Sequence, residues 1–211
     1  MTKIYPNSPI SSFQDPEISL ESEPKVLTVW RKSLLFNCSG FTVYDGKGNL
    51  VFRVDIYPSS SRNDIVLMDS AGKPLFTVRR KKLSLADHWH IYDGEAVTER
   101  PRFSARKHLT LLPYKSNSKE VARVMPCRGP GSKDGPIYSV EGSFSQRACV
   151  VLDERRRQVA EIKRKEAVEG ATFGGDVFRL VVQPGLDAGL AMAVVILLEQ
   201  MFGSRASTIK G

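Results

Sequence analysis

The sequence predicts a mainly β fold with one core helix near its C-terminal end, and three observations predict it. Short β-rich runs recur from Lys25 to Gln183, a hairpin built on an Asp-initiated turn occurs three times, and Asp187–Phe202 is apolar on every side. Many short strands followed by such a helix fit a barrel with the helix threaded through it. The same periodicity fits a sandwich with the helix laid on one face.

The helix organises the rest. DAGLAMAVVILLEQMF opens on Asp187, a good N-cap behind the Pro184-Gly185 turn, and runs into Gly203, a natural terminator. Leu190, Met192, Val194, Val195, Ile196, Leu197, Leu198, Met201 and Phe202 leave no polar stripe at helical spacing. A helix apolar all round is a membrane span or the centre of a core. At 16 residues, with Glu199 and Gln200 near its end, it falls short of the ~20 a bilayer needs. It reads as a core helix. Burying its large side chains at ~1.5–3 kcal/mol each makes it a major contributor to stability.

Before it come the strands. Residues 1–24 are rich in Ser, Pro and Glu and too polar to order, so they read as a disordered arm; residues 204–211 read as a flexible tail. Val26–Arg31 is the first strand. Phe41–Tyr44 and Asn49–Ile56 flank a turn at Asp45, and Asp64–Asp69 and Pro74–Lys82 flank one at Asp69. His88–Tyr92, Arg102–Arg106, Leu109–Tyr114, Glu120–Met125 and Ile137–Glu141 follow as shorter candidates. Ala148–Asp153 and Gln158–Lys165 flank a third turn, and Asp176–Gln183 is the last strand.

The three hairpins repeat one another: VYDGKGNLVFRV, LMDSAGKPLFTV and VLDERRRQVAEI. Asp45, Asp69 and Asp153 are each followed nine residues later by an aliphatic, Val54, Val78 or Ile162. Gly48 and Gly72 occupy the third place after Asp, where such a turn needs positive φ. Arg156 stands there in the third copy, so its turn is expected to differ. The uneven spacing of the copies favours one closed antiparallel sheet over a solenoid.

At 211 residues and 41% hydrophobic, the chain is one large domain or two small ones. Its net charge of +8 favours anionic partners: phospholipid, nucleic acid or an acidic protein. The arm carries Asp15, Glu17, Glu21 and Glu23 against Lys3, which leaves 30 basic against 19 acidic residues in the remainder. Cys38, Cys127 and Cys149 are odd in number and widely spaced, which excludes a disulfide framework and a CxxC metal or redox motif. No apolar run follows a basic start in residues 1–24, so a reducing intracellular compartment is expected.

The stretches TVWRKSLLF, GFTVYDGKGNLVFRVD, IVLMDSAGKPLFTVRRKKLSLADHW, EGSFSQRACVVLDE, VAEIKRKE and GDVFRLVVQPGLDAGLAMAVVILLEQMF resemble the plant LURP-one-related family. The resemblance covers Val26–Phe202 in the family's order. It implies a tubby-like fold, a closed antiparallel barrel of about twelve strands around a central hydrophobic C-terminal helix, in a domain spanning residues 25–203. The family takes its name from induction in plant defence. Its structural relatives, tubby proteins and phospholipid scramblases, imply phosphoinositide binding at membranes and, for tubby, a link to transcription. No tubby lipid-binding motif aligns here residue by residue, so candidate site residues come from the chain's own cations.

Those cations are Arg79, Arg80, Lys81 and Lys82 at the end of the second hairpin, with Lys163, Arg164 and Lys165 in the equivalent place of the third. Arg31 and Lys32 follow the first strand. Side chains alternate along a strand, so part of each run faces outward, and equivalent hairpin ends can share one rim. Grouped there they could hold an inositol polyphosphate head group, Arg by bidentate contacts and Lys as point charges. The competing role is protection of strand edges.

Other chemistries find less support. His88 and His90 share one strand face with Trp89 on the other, but a metal needs a third ligand and only His108 remains as a further imidazole. Cys149 lies within ACVVLD and reads as a buried small hydrophobe; no nucleophile or metalloprotease signature occurs. In the loop Gly129–Pro136 a Lys precedes Asp and a strand rather than opening a helix, so it is no P-loop. The aromatics are not interleaved with the basic runs, which argues against sequence-specific nucleic-acid binding.

The expected protein is therefore a monomeric, non-enzymatic binding or adaptor protein without metal or cofactor. It would sit in the cytoplasm, held reversibly at the inner face of the plasma membrane by anionic phospholipid head groups, with the nucleus a lesser location. A soluble interaction partner in plant defence and a transcription-associated factor are the alternatives.

Overall fold

The computed structural model describes residues 23–35, 38–56, 64–81, 88–95, 100–108, 119–127, 135–166 and 173–203. Most of the expected arm, the tail 204–211, the expected strand at 109–114, most of the loop at 129–136 and Lys82 lie outside the described residues. The strands are β1 (Lys25–Trp30), β2 (Ser39–Tyr44), β3 (Leu50–Ile56), β4 (Asp64–Asp69), β5 (Pro74–Arg80) and β6 (His88–Asp93). They continue as β7 (Phe103–Lys107), β8 (Glu120–Pro126), β9 (Tyr138–Ser143), β10 (Ala148–Asp153), β11 (Gln158–Arg164) and β12 (Val177–Val182), followed by α1 (Ala188–Phe202).

Every strand pairs antiparallel with its sequence neighbours, and β1 pairs with both β2 and β12. The twelve strands therefore close into one barrel, which excludes the sandwich. Alternation sends Val29, Val43, Leu67, Ile91, Val140 and Leu180, among others, into the bore, where each is essentially inaccessible to solvent. A bore that wide needs filling, and α1 fills it. Ala191 through Leu198 are all buried, as a helix ringed by apolar strands requires. Small residues let it fit: a Cβ on Gly189 would stand 3.2 Å from the Phe76 ring of β5.

Both helix ends are tied. The Asp187 carboxylate accepts from the Leu190 amide at 2.7 Å, so the N-cap forms as expected. The Gly203 amide donates to the Glu199 carbonyl at 2.8 Å, but φ is −60° and ψ 140°. The helix thus ends without a left-handed residue. Glycine is required there by close approach, since a Cβ would fall 2.3 Å from the Glu199 carbonyl oxygen.

The three Asp turns share one design, and the expected departure of the third does not occur. Gly48, Gly72 and Arg156 have φ of 85°, 88° and 64°. Each donates its amide to the carbonyl of its aspartate, at 3.1, 3.1 and 2.9 Å. Each aspartate Oδ1 in turn accepts the amide four residues on, at Asn49, Lys73 and Arg157. The side-chain bonds hold the loop, so the third copy tolerates Arg in a conformation that glycine adopts without strain.

Antiparallel closure sorts the barrel into two ends. The three turns and the start of α1 share one end; the ends of β1, β5 and β11 and the last turn of α1 share the other.

Two outcomes follow from this packing. Leu197→Asp places a carboxylate without a partner inside the bore and should abolish cooperative thermal unfolding; a retained midpoint would contradict the threaded helix. Arg156→Gly removes a left-handed non-glycine residue and should stabilise the chain by roughly 0.5–1 kcal/mol in urea titration, less the loss of an exposed ion pair with Glu141.

Candidate functional site

All three basic runs lie at the barrel end where α1 terminates, because β1, β5 and β11 run the same way round the ring. They do not form one patch. From β11 the ring passes through β10, β9, β8, β7 and β6 before reaching β5, so those two runs stand on opposite sides. Arg31 and Lys32 stand only one strand, β12, away from β11.

The corner formed by β1, β12 and β11 is built around the helix terminus. Backbone pairing sets Trp30 opposite Val177, and the Arg31 amide donates to the Asp176 carbonyl at 2.7 Å. The Arg31 guanidinium reaches Asp176 at 3.2 Å and Glu199 Oε1 at 2.9 Å. The other Glu199 oxygen meets Arg147 at 3.3 Å. Arg147 also donates to the Gly175 carbonyl at 3.0 Å and lies against the Phe144 and Phe178 rings, 4.4 and 4.3 Å from their centroids. Burial pulls the Arg147 pKa down while Glu199 opposes the shift.

At the edge of this corner, Arg164 Nε donates to the Gln146 carbonyl at 3.1 Å, and Lys163 pairs with Glu161 at 3.3 Å. The Lys32 and Lys165 amines stand over Trp30 and Phe173, at 5.0 and 4.8 Å. Arg31 and Lys163 are thus engaged by the chain's own carboxylates. The cations directed at the edge are Lys32, Arg164 and Lys165.

The opposite side, on β5, β6 and β7, differs. Arg79 is held in a bidentate pair by Asp64 of β4, which raises its pKa and occupies the fork a phosphate would need. Arg80 stands opposite Trp89 in register, and Lys81 donates its amide to the His88 carbonyl at 2.8 Å. His88, His90 and Tyr92 share the outer face while Trp89 and Ile91 fill the bore, the alternation read from the sequence. The two imidazoles meet edge to face at 5.1 Å, and His90 Nδ1 lies 3.3 Å from the Tyr92 hydroxyl. Among the described residues no third His, Cys, Asp or Glu joins them to hold a metal. His88 is only 7% exposed, and its Nε2 has no hydrogen-bond partner among those residues. Burial pulls its pKa down to about 4, with Arg106, His90 and Lys81 adding to the shift. His90 moves the same way, again chiefly through burial.

The turn end offers a cleft of about 1100 Å³ between Phe52, Leu75, Phe76 and the start of α1. Of the polar groups in its lining, Asp45 closes a turn, Asp187 caps the helix and Arg102 pairs with Asp93 at 2.9 Å; Lys25 and Lys47 line it as well. Cys149 is buried in the wall of the barrel, where burial pushes its thiol up to about 11 and suppresses the thiolate. Sequence reading missed Arg147. Its visible signal was Glu199, an acid in an otherwise apolar helix that needs a cation supplied from elsewhere in the fold.

A sequence model of the family described as LURP-one-related matches residues 25–199. The chain belongs to the LURP-one-related family. Protein LURP-one-related 8 of Arabidopsis thaliana is 50% identical over 208 residues, covering 97% of this chain and 100% of the relative. Protein LURP-one-related 17 of the same plant is 43% identical over 186 residues, covering 83% of this chain and 82% of the relative. A protein of Arabidopsis thaliana solved by X-ray crystallography matches with a TM-score of 0.61 at 23% identity, over 85% of this chain and 92% of that one, a likeness of fold.

The histidines predict a pH dependence of stability for this LURP-one-related chain. Because the folded state holds His88 near 4 against an ordinary 6.5, the unfolded chain binds more protons between those values. Stability should therefore fall as pH drops from 6.5 toward 4. Urea midpoints at pH 7, 5.5 and 4.5 should show that loss, and His88→Phe should flatten it. An equally steep loss in the variant would assign the acid sensitivity to other groups.

Proposed function

We propose that this LURP-one-related chain is a non-enzymatic binding protein that docks reversibly on anionic phospholipid through the barrel end where α1 terminates. The observation that carries the reading is that Arg31–Lys32, Arg79–Lys81 and Lys163–Lys165 all fall at that one end, in a chain of net charge +8, while in the Arg155–Arg157 run of the opposite end Arg156 and Arg157 pair with Glu141 and Asp153. Head-group contact falls to Lys32, Arg164 and Lys165, while Arg31, Arg79 and Lys163 hold the frame through internal ion pairs. The tubby-like resemblance supports a phosphoinositide as the lipid, the inner face of the plasma membrane as the place and plant defence as the setting. An adaptor of this kind needs no catalytic group.

Co-sedimentation with liposomes tests the reading, comparing phosphoinositide with phosphatidylserine vesicles of matched surface charge at low and physiological salt. Preference for phosphoinositide at physiological salt is the expected result. The triple variant Lys32→Glu, Arg164→Glu, Lys165→Glu should bind at least ~10-fold more weakly, since each surface cation contributes about 1 kcal/mol. Equal binding by the triple variant would contradict the assignment. Arg79→Glu would be a poor probe, because it strands Asp64 and perturbs folding.

A further inference from the structure

Five large hydrophobic residues are conspicuously exposed among the described residues, and four of them stand on the rim where α1 terminates: Trp30 at the end of β1, Leu34 and Leu35 in the connection that reaches toward β3, and Phe173 ahead of β12. Trp30 is 39% exposed, Leu34 51%, Leu35 38% and Phe173 39%; the fifth, Val26, lies at the other end of β1. Single exposed apolar residues need no explanation, but a cluster marks an interaction site.

The exposure is built into the fold. Ser33, itself buried, donates its hydroxyl to Asp55 of β3, and the Leu35 amide donates back to the Ser33 oxygen at 3.0 Å. The Cys38 amide then closes on the Leu35 carbonyl at 3.3 Å. Ser33 thus pins the segment inward, while Leu34 and Leu35, which follow it, stay exposed. Ahead of β12 the Val177 amide donates to the Gly174 carbonyl at 3.1 Å, closing a turn just after Phe173, whose ring lies beneath the Lys165 amine.

Charge identifies the occupant. Lys32 and Lys165 stand over the Trp30 and Phe173 rings, and Arg164, at the end of β11 just before Lys165, is exposed. Asp176 is matched by Arg31, so the acid within the patch is offset; among the described residues Glu166, just beyond Lys165, is another exposed carboxylate nearby in sequence. Long cationic stems beside apolar prongs suit a phospholipid interface, where the amines stay at phosphate level and the rings and leucines sink below it. Trp prefers that interface. The apolar residues also stand at strand ends and turns rather than on a flat sheet face, which suits a bilayer better than the packed centre of a protein interface.

We propose that this stretch of rim, from the β1–β2 connection to the end of β11, is an inserting edge: Trp30, Leu34, Leu35 and Phe173 enter the acyl boundary of an anionic bilayer while Lys32, Arg164 and Lys165 hold its phosphates. The inference rests on the membrane reading above and adds to it a defined depth and orientation. It also gives Arg31 a role other than lipid contact, that of neutralising Asp176 and Glu199 beneath the edge.

Tryptophan fluorescence tests it on the full chain. Trp89 is 5% exposed inside the barrel, so Trp30 is the reporter, and Trp89→Phe isolates it. Phosphatidylcholine vesicles carrying phosphatidylinositol 4,5-bisphosphate are added, with matched vesicles of acyl-brominated lipid. The expected result is a blue shift of Trp30 emission with quenching by bromine. Leu34→Ser combined with Leu35→Ser should cut vesicle partitioning by ~10-fold or more at physiological salt, because burial of two leucines is lost. Co-sedimentation without shift or quenching overturns insertion and leaves surface docking intact. If no vesicle binds at all, both readings fall and this stretch of rim becomes a protein-docking site. Should Trp89→Phe fold poorly, bromine quenching of the natural chain gives the same answer, since the bore shields Trp89.

Discussion

The fold depends on one constraint: a closed barrel of this width must be filled, and a helix that is apolar on every face fills it. A helix satisfies its own backbone hydrogen bonds, so strands can surround it without stranding polar groups. That is why α1 carries no polar stripe and why Gly189 faces Phe76. The one strong charge within α1, Glu199, comes at its last turn, where Arg31 and Arg147 meet it. Breaking such a shielded pair by removing one partner costs about 3–5 kcal/mol. The same pair joins the helix end to β1, to the turn before β12 and to the turn between β9 and β10. The corner bearing the exposed aromatics is thereby fixed to the core.

Antiparallel closure then divides the labour between the ends. At one end, short Asp turns spend their carboxylates on their own amides, and the cleft beside them has its Asp and Arg groups committed to the fold. At the other end, β1, β5, β7 and β11 finish in or next to basic residues around the helix terminus. The ring places these as two sectors, one rich in apolar prongs and one built on histidine, Arg79 and Tyr92. Only the first combines exposed cations with exposed apolar residues, which is why membrane contact is assigned there.

Much of this could be read from residue patterns of short range. The helix, its Asp187 cap, the alternation around Trp89 and the three hairpins all depend on neighbours within a dozen residues. The Arg156 turn was misread because a glycine rule was applied where the Asp153 side chain does the holding. The hairpin repeat favoured a closed sheet, but periodicity alone fitted a sandwich equally well and the twelve-strand ring came from family resemblance, so the opposition of β5 and β11 was not legible in the residue pattern. The bond between Arg31 and Glu199 spans most of the chain, beyond any local pattern. Asp64 and Arg79 were closer to legible, since the turn at Asp69 sets them opposite each other.

Hydrogen exchange on the full chain, with and without phosphoinositide vesicles, tests most directly whether this barrel end is the membrane-facing one. The account predicts added protection confined to residues 30–35, 164–166 and 173–176. Protection centred instead on the turns at Asp45, Asp69 and Asp153 would turn the molecule over on the membrane and contradict it.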